Sequence, residues 1–185
     1  MKNKIGTTYS MVIDAMLAAI YVVLSAFVSL NLGNIKITFE ALPILTAALL
    51  LGPVDGLLVG GIGSLIQQLM NYGITPTTLL WILPHALSGL LVGLYAKKHD
   101  FELKKWQTIG ICAVSALVVT AFNTLAMYVD SKMYGYYSKA YVFGSLVIKI
   151  IVGIVTAVVF SLIIPEFIKL VRKNISVGNK AHKGD

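Results

Sequence analysis

Apolar residues lie along this chain in long runs, which short stretches rich in glycine, proline or polar residues separate. A helix needs about 20 apolar residues to cross a hydrocarbon core of about 30 Å. Four runs have this length or more: residues 9–32, 77–96, 106–129 and 141–164. Two shorter runs, residues 41–51 and 57–70, predict helices that are tilted or buried inside a bundle. The pattern therefore predicts an all-α membrane protein, a bundle of about six transmembrane helices.

The breaks between the runs carry their own signals. Residues 33–40 alternate in polarity, which predicts an extended loop after the first helix. The sequence Gly-Pro-Val-Asp-Gly at residues 52–56 predicts a tight turn between the two short runs. Pro84 predicts a kink within the fourth run. We assign residues 1–174 to one membrane domain and residues 175–185 to a disordered cytoplasmic tail, because that end is polar.

The composition agrees with a chain whose solvent is largely lipid. Hydrophobic residues make up 57% of the chain and charged residues only 12%, whereas a soluble domain carries about 25% charged residues. The net charge of +7 does not predict nucleic-acid binding, because the basic residues lie at the ends of apolar runs and form no single stripe. Cys112 is the only cysteine, so no intramolecular disulfide is possible. Because it lies within an apolar run, it is expected to be a small buried apolar residue.

The basic residues also predict the orientation in the membrane. Six crossings put both termini on one side, and on that side lie eleven lysines and arginines against three on the other. The eleven are Lys2, Lys4, Lys97, Lys98, Lys104, Lys105, Lys169, Arg172, Lys173, Lys180 and Lys183. The three are Lys36, Lys132 and Lys139, and Lys149 lies inside a helix. Cytoplasmic loops carry the excess of positive charge, so we expect both termini in the cytoplasm and a multi-pass protein of the cell membrane.

Several polar side chains share one depth in this orientation. At a rise of about 1.5 Å per residue, they lie about 6–12 Å below the outer end of their helices. These side chains are Gln67, Trp81, His85, Asn123 and Lys149. Gln68 has a similar depth, but adjacent residues point in different directions on a helix, so at most one of the two glutamines lines a cavity.

This polar layer has the chemistry of a ligand site. A lysine near the bilayer centre costs at least about 2.5–3.5 kcal/mol, which makes Lys149 a candidate to pair with a ligand carboxylate. His85 and Asn123 can exchange hydrogen bonds with a ligand, and Trp81 can stack on a flat heterocycle. Two plainer interpretations stay open: Lys149 extends to the outer surface, and His85 makes an ordinary hydrogen bond between helices.

Small residues and loop motifs resemble one known family. Ala15 and Ala19, spaced i and i+4, form a flat stripe that suits packing against another helix. An Ile-Lys-Ile-Thr-Phe stretch at residues 35–39 is followed by Pro43 and by Leu-Gly-Pro-Val-Asp-Gly at residues 51–56. In this order, and with this length and helix number, the chain resembles the substrate-binding subunits of energy-coupling factor (ECF) transporters, and is most similar to their folate-type branch.

The resemblance implies a mechanism and partners. The subunit captures a vitamin or vitamin precursor, with folate as the best guess, in a pocket that the first, third and fifth loops close. Asn34, Tyr72 and Tyr136 lie on or beside these loops. The subunit then docks through Ala15 and Ala19 on a transmembrane coupling subunit, and two cytoplasmic ATPases drive release. The chain itself contains no phosphate-binding Gly-x-x-x-x-Gly-Lys loop, so the resemblance implies no enzyme activity, cofactor or metal.

Residues 74–78 depart from the Phe-Pro-Gly-Phe-like entry to helix four that the folate-type branch shows, so other heterocyclic vitamins stay open. One alternative function is an intramembrane serine hydrolase, because Ser64 lies among glycines at the predicted depth of His85. A serine beside glycines is also ordinary helix packing. The other alternative is a membrane assembly subunit without a ligand. No metal site is predicted, since His85, His99 and His182 lie in different environments.

Overall fold

The structure, a computed structural model, describes the backbone of residues 7–32 and 35–181 and the side chains of residues 8–28, 38–166, 168 and 169. Its described part contains a helical bundle with a small β-hairpin. The helices are α1 (Thr7–Phe27), α2 (Ala41–Leu50), α3 (Pro53–Tyr72), α4 (Thr78–Lys98), α5 (Lys105–Met133), α6 (Lys139–Phe143) and α7 (Leu146–Ala181).

Four segments of the described chain are long and apolar enough to cross a membrane: Thr8–Phe27, Thr78–Lys98, Lys105–Met133 and Lys139–Glu166. They match the four long runs of the sequence, and the multi-pass membrane protein is confirmed. The orientation of the termini stays a prediction. Helix α2 is short, and its residues from Pro43 to Leu50 are all buried, so one of the two short runs is a helix inside the bundle.

The prediction that the first helix reaches residue 32 is wrong. Helix α1 ends at Phe27, and Ser29–Leu32 forms strand β1, which pairs antiparallel with strand β2 at Ile35–Thr38. Ser29 lies opposite Thr38 and Leu32 opposite Ile35. An apolar run does not distinguish a helix end from a strand when the pairing partner comes from the next segment. Asn34 lies outside the described residues.

The sixth run is also divided. The five-residue helix α6 ends at Phe143, and α7 begins at Leu146, after Gly144 and Ser145. Helix α7 includes Pro165 and continues to Ala181, into the segment 175–185 whose disorder the composition predicts. Residues 182–185 lie outside the described part, and the disorder of the tail stays a prediction.

A sharp turn joins α2 to α3. Gly52 has a φ of 138°, a backbone conformation that side chains with a Cβ rarely adopt. Pro53 follows as the first residue of α3, where its missing N–H removes no hydrogen bond. The predicted break between the two short runs is correct, but the turn is confined to Leu51 and Gly52, and residues 53–56 already belong to α3.

Helices α3 and α4 pack closely because glycines face each other across their interface. A Cβ added to Gly56 would lie 2.7 Å from the carbonyl oxygen of Gly89. The backbones therefore approach to a distance that larger side chains would prevent. One main core lies beside this pair, between α2, α4, α5 and α7, and Ala48, Val92 and Phe160 are fully or almost fully buried there.

Candidate functional site

The glycines of α3 also determine where two side chains of the candidate site lie. Gly60 packs against the backbone of His85 in α4, and a Cβ at this position would collide with it. A Cβ at Gly63 would lie 2.7 Å from the ring of Tyr21 in α1. Because α3 lacks side chains at these points, α1 and α4 both approach it closely, and the rings of Tyr21 and His85 come into contact.

Tyr21, Glu40, Gln67 and His85 form a connected group that we call the polar cluster. The Nε2 atom of His85 lies 3.2 Å from Oε1 of Glu40, within reach of an imidazole N–H donating to the carboxylate. The hydroxyl of Tyr21 donates to Oε1 of Gln67 over 3.2 Å. The rings of Tyr21 and His85 meet edge to face, with centroids 5.7 Å apart. Four elements thus contribute to the cluster: α1, the start of α2, α3 and α4.

The cluster lies inside the bundle. Tyr21 is fully buried, and the side chains of His85 and Glu40 are only 11% and 15% exposed. A buried ionisable pair keeps its charge only where hydrogen bonds compensate for the lost water. Here the imidazole compensates the carboxylate through one hydrogen bond, and the Tyr21 ring packs edge to face on the imidazole.

The cluster brings together two residues that depth along the helices had selected, Gln67 and His85. It also contains two that sequence reasoning missed. Tyr21 lies within an apolar run, and Glu40 lies at the end of the predicted loop. A carboxylate immediately before a fully apolar helix was the available signal for Glu40, because such a group needs a partner when the helix is buried.

Lys149 occupies a different part of the bundle. It lies on α7, and its Nζ is 3.1 Å from the sulfur of Met127 on α5. Asn123 and Met127 are spaced i and i+4, so they share one face of α5 and Lys149 lies beside that face. Among the described residues, no carboxylate lies within 4 Å of Lys149. A thioether is a weak acceptor, so the ammonium lacks a strong protein partner in this part of the structure.

Tyr136 belongs to a group at the loop ends of α4 and α5. Its hydroxyl donates to Oδ2 of Asp130, and the hydroxyl of Thr77 donates to Oδ1 of the same carboxylate over 2.6 Å. The hydrogen bond to Asp130, reinforced by partial burial and negative charge, raises the pKa of Tyr136. The Tyr136 ring also packs edge to face on Tyr141 at 5.5 Å. Asp130 therefore ties the loop after α5 to the start of α4.

The remaining predicted residues are less constrained. Trp81 is half-buried on α4, one turn from His85, whereas Tyr72 is 73% exposed at the end of α3. Ser64 is buried, and its hydroxyl donates to the backbone carbonyl of Gly60 over 2.5 Å. Such bonds within α3 are the packing role open to a helical serine, and Ser64 makes no hydrogen bond to His85.

Ala15 and Ala19 lie on the outside of the bundle. Both are exposed, whereas Ala18 and Leu17, on the opposite side of α1, are only 5% and 8% exposed. Met11 and Met16 on the outer side are 64% and 59% exposed. The small-residue stripe is thus not used for packing within the described bundle.

Comparisons with known proteins agree on a family. A family model described as the substrate-specific component of ECF transporters matches residues 9–164. The chain is 40% identical over 89 residues to a UPF0397 protein of Lactobacillus johnsonii, covering 46% of each chain. It is 37% identical over 112 residues to a UPF0397 protein of Lactobacillus gasseri, covering 56% of this chain and 58% of that one. The chain therefore matches about half the length of these curated relatives.

Solved structures share the fold at low sequence identity. A structure of FolT bound with folic acid has a TM-score of 0.64 at 21% identity and covers 84% of this chain and 91% of its own. The S-component for biotin from an ECF-type ABC transporter has a TM-score of 0.65 at 16% identity, and the match covers 91% of this chain and 95% of that one. A third structure, the S component of a bacterial ECF transporter, has a TM-score of 0.66 at 22% identity, and the match covers 90% of this chain and 99% of that one.

Proposed function

Because this chain belongs to the family of substrate-specific components of ECF transporters, we propose that it captures a vitamin or vitamin precursor outside the cell and delivers it to an ATP-driven coupling module. Members of this family are substrate-binding subunits that catalyse no reaction, so the serine-hydrolase alternative is set aside. The observation that carries the binding role is Lys149, a lysine inside a candidate membrane span whose polar contact is a methionine sulfur.

We propose that Lys149 and the polar cluster, which lie in different parts of the bundle, bind two different ends of one ligand. Lys149 attracts a carboxylate, and in a medium of low dielectric this attraction is stronger than in water. Glu40, held by His85, favours the N–H edge of a heterocycle, because a carboxylate only accepts hydrogen bonds. Folate combines such a heterocycle with carboxylates and is our first candidate. The match to FolT supports it, but the biotin component matches the fold equally well, so the fold does not choose between the vitamins.

We assign the binding roles as follows. Lys149 and Asn123 bind the acidic end of the ligand, Gln67 and His85 contact its polar edge, and Trp81 stacks on its ring. Tyr72 and Tyr136 close the pocket from the loops, together with Asn34 from the hairpin. The hydrogen bonds of Tyr136 and Thr77 to Asp130 support this closing role, because they hold a loop against the α4 end of the site.

The delivery step requires partners. We propose that a transmembrane coupling subunit docks on α1 along Ala15 and Ala19, and that two cytoplasmic ATPases act through it. Support comes from the exposure of this stripe in the described bundle. Small side chains allow two helices to approach closely in lipid, where apolar contact alone does not favour association.

The test is a titration that reads the site directly. The chain has two tryptophans, and Trp106 is 81% exposed at the start of α5. Replacing it (Trp106→Phe) leaves Trp81 as the only reporter. The protein is purified in mild detergent, its bound small molecules are identified by mass spectrometry after denaturation, and folate, biotin and other vitamins are titrated against Trp81 fluorescence.

The matched variants are Lys149→Met and Lys139→Met. Both remove one lysine charge, but Lys139 is exposed at the start of α6. We expect saturable quenching by one vitamin that Lys149→Met abolishes and Lys139→Met preserves. A protein that carries no small molecule and responds to none of the vitamins would contradict the capture role and favour the assembly subunit. Equal loss in both variants would show that charge in general, and not Lys149, attracts the ligand.

A further inference from the structure

A second feature lies away from the polar cluster, on the surface between α4 and α5. A groove of about 590 Å³ lies between the two helices, and leucines of α4 form one of its walls. Ile111, Val118 and Phe122 of α5 form the other. Leu94 and Phe122 are 53% and 36% exposed, so the groove faces the surroundings of the bundle.

The length of the groove corresponds to one leaflet of a bilayer. On α4 it extends from Leu87 to Lys98, which is about 16 Å at a helical rise of about 1.5 Å per residue. On α5, Ile111 and Phe122 are separated by the same number of residues. Half of a hydrocarbon core of about 30 Å is about 15 Å. The groove therefore extends from the middle of the membrane to the lysine-rich end of both helices.

That end carries positive charge without ion pairs. Lys98 lines the groove, and Lys97, Lys104 and Lys105 lie at the same ends of α4 and α5. Asp100 and Glu102 in the connecting loop reduce the sum of these charges to +2. Ion pairs within 4 Å among the described side chains join His85 to Glu40 and Lys169 to Glu166, so none of the four lysines is paired with a carboxylate there.

We propose that this groove binds an anionic phospholipid, with an acyl chain along the leucines of α4 and the headgroup phosphate at Lys98. The apolar walls suit the chain, and the one lysine that lines the groove stands at its membrane-surface end. The Tyr95 ring, which also lines the groove, lies at the level where tyrosines mark the membrane interface. On the predicted orientation this is the cytoplasmic leaflet, which is rich in anionic lipid.

Native mass spectrometry of the full chain tests the proposal, using phosphatidylglycerol and phosphatidylcholine with identical acyl chains. We expect phosphatidylglycerol to remain bound in preference to phosphatidylcholine. Lys98→Gln should weaken its binding about fivefold, the effect of one lysine near an anionic surface. Lys97→Gln removes the same charge from the same turn but does not line the groove, so its effect should be less than twofold. Leu94→Trp fills the groove at an exposed position and should displace the lipid without unfolding the protein.

Three results would overturn the proposal. Equal retention of the two lipids would show that the groove holds acyl chains without recognising the headgroup. Equal effects of Lys97→Gln and Lys98→Gln would show diffuse attraction to the membrane surface. A dimer that forms in place of lipid binding and dissociates in Leu94→Trp would assign the groove to a second copy of the chain. The vitamin titration is independent of each of these outcomes.

Discussion

Gly56→Ala is the sharpest test of how the bundle is held together. The added Cβ would lie 2.7 Å from the carbonyl oxygen of Gly89 and 2.8 Å from the Cβ of Ala48. Optimal contacts between carbon atoms are about 3.5–4.0 Å, so α3 must move away from both neighbours by several tenths of an ångström or more. Both neighbours belong to helices of the core, and neither contact is with the end of a flexible side chain.

The expected magnitude follows from a matched pair of variants. Gly61→Ala is on the same helix, but its Cβ would lie 3.7 Å from Ala86, an ordinary contact. Both variants replace glycine by alanine inside α3, so the gain in helix propensity of up to about 1 kcal/mol is common to both. Their difference isolates the overpacking cost, which is about 1–3 kcal/mol in a well-packed core. For a chain of this size this corresponds to roughly 2–12 °C in the unfolding midpoint.

Thermal unfolding in mild detergent can be followed at Cys112. It is the only cysteine, and its side chain is 1% exposed on α5, so a thiol-reactive fluorogenic dye labels it only as the bundle opens. We expect Gly56→Ala to unfold at the lower temperature and Gly61→Ala at or above the wild-type midpoint. Equal midpoints, or the reverse order, would refute the close approach of α3 and α4.

Three further predictions concern the docking face, the loops and the ligand lysine. Ala19→Leu should change the free energy of unfolding by no more than about 0.5 kcal/mol but should abolish co-purification with the coupling subunit. Ala18→Leu, at a position that is 5% exposed, should instead destabilise the fold by about 1–3 kcal/mol. Equal unfolding midpoints of the two variants would contradict this prediction. The hydrogen bond that raises the pKa of Tyr136 stabilises the fold fully below the ordinary tyrosine pKa of 10.0. This stabilisation is lost as the pH rises through the higher pKa of the folded protein. Asp130→Asn should therefore move tyrosinate absorbance to lower pH, and an unchanged titration would exclude the bond. Lys149→Met should raise the free energy of unfolding of the ligand-free protein by about 1 kcal/mol or more, and a lowered value would mean that the lysine supports the fold.

Much of the architecture follows from local properties of the sequence. The length of an apolar run decides whether a helix can cross the membrane, and all four long runs correspond to candidate spans. The close approach of α3 and α4 depends on Gly56 and Gly60, because glycine has no side chain to hold the backbones apart. The boundary at Phe27 was missed because a strand depends on a partner, here Ile35–Thr38, that no local pattern reveals.

The sequence by itself determined that much of this chain lies in lipid and where its four long apolar runs lie, and it predicts a shared depth for several polar side chains, because run length and helical rise are properties of one segment. Only the tertiary structure decided which side chains at that depth meet. Rotation about each helix axis depends on packing between helices. Gln67 and His85 joined Tyr21 and Glu40, whereas Lys149 lies beside Met127. Glycine at positions 60 and 63 set that rotation, since close backbone contact is possible only where no side chain intervenes.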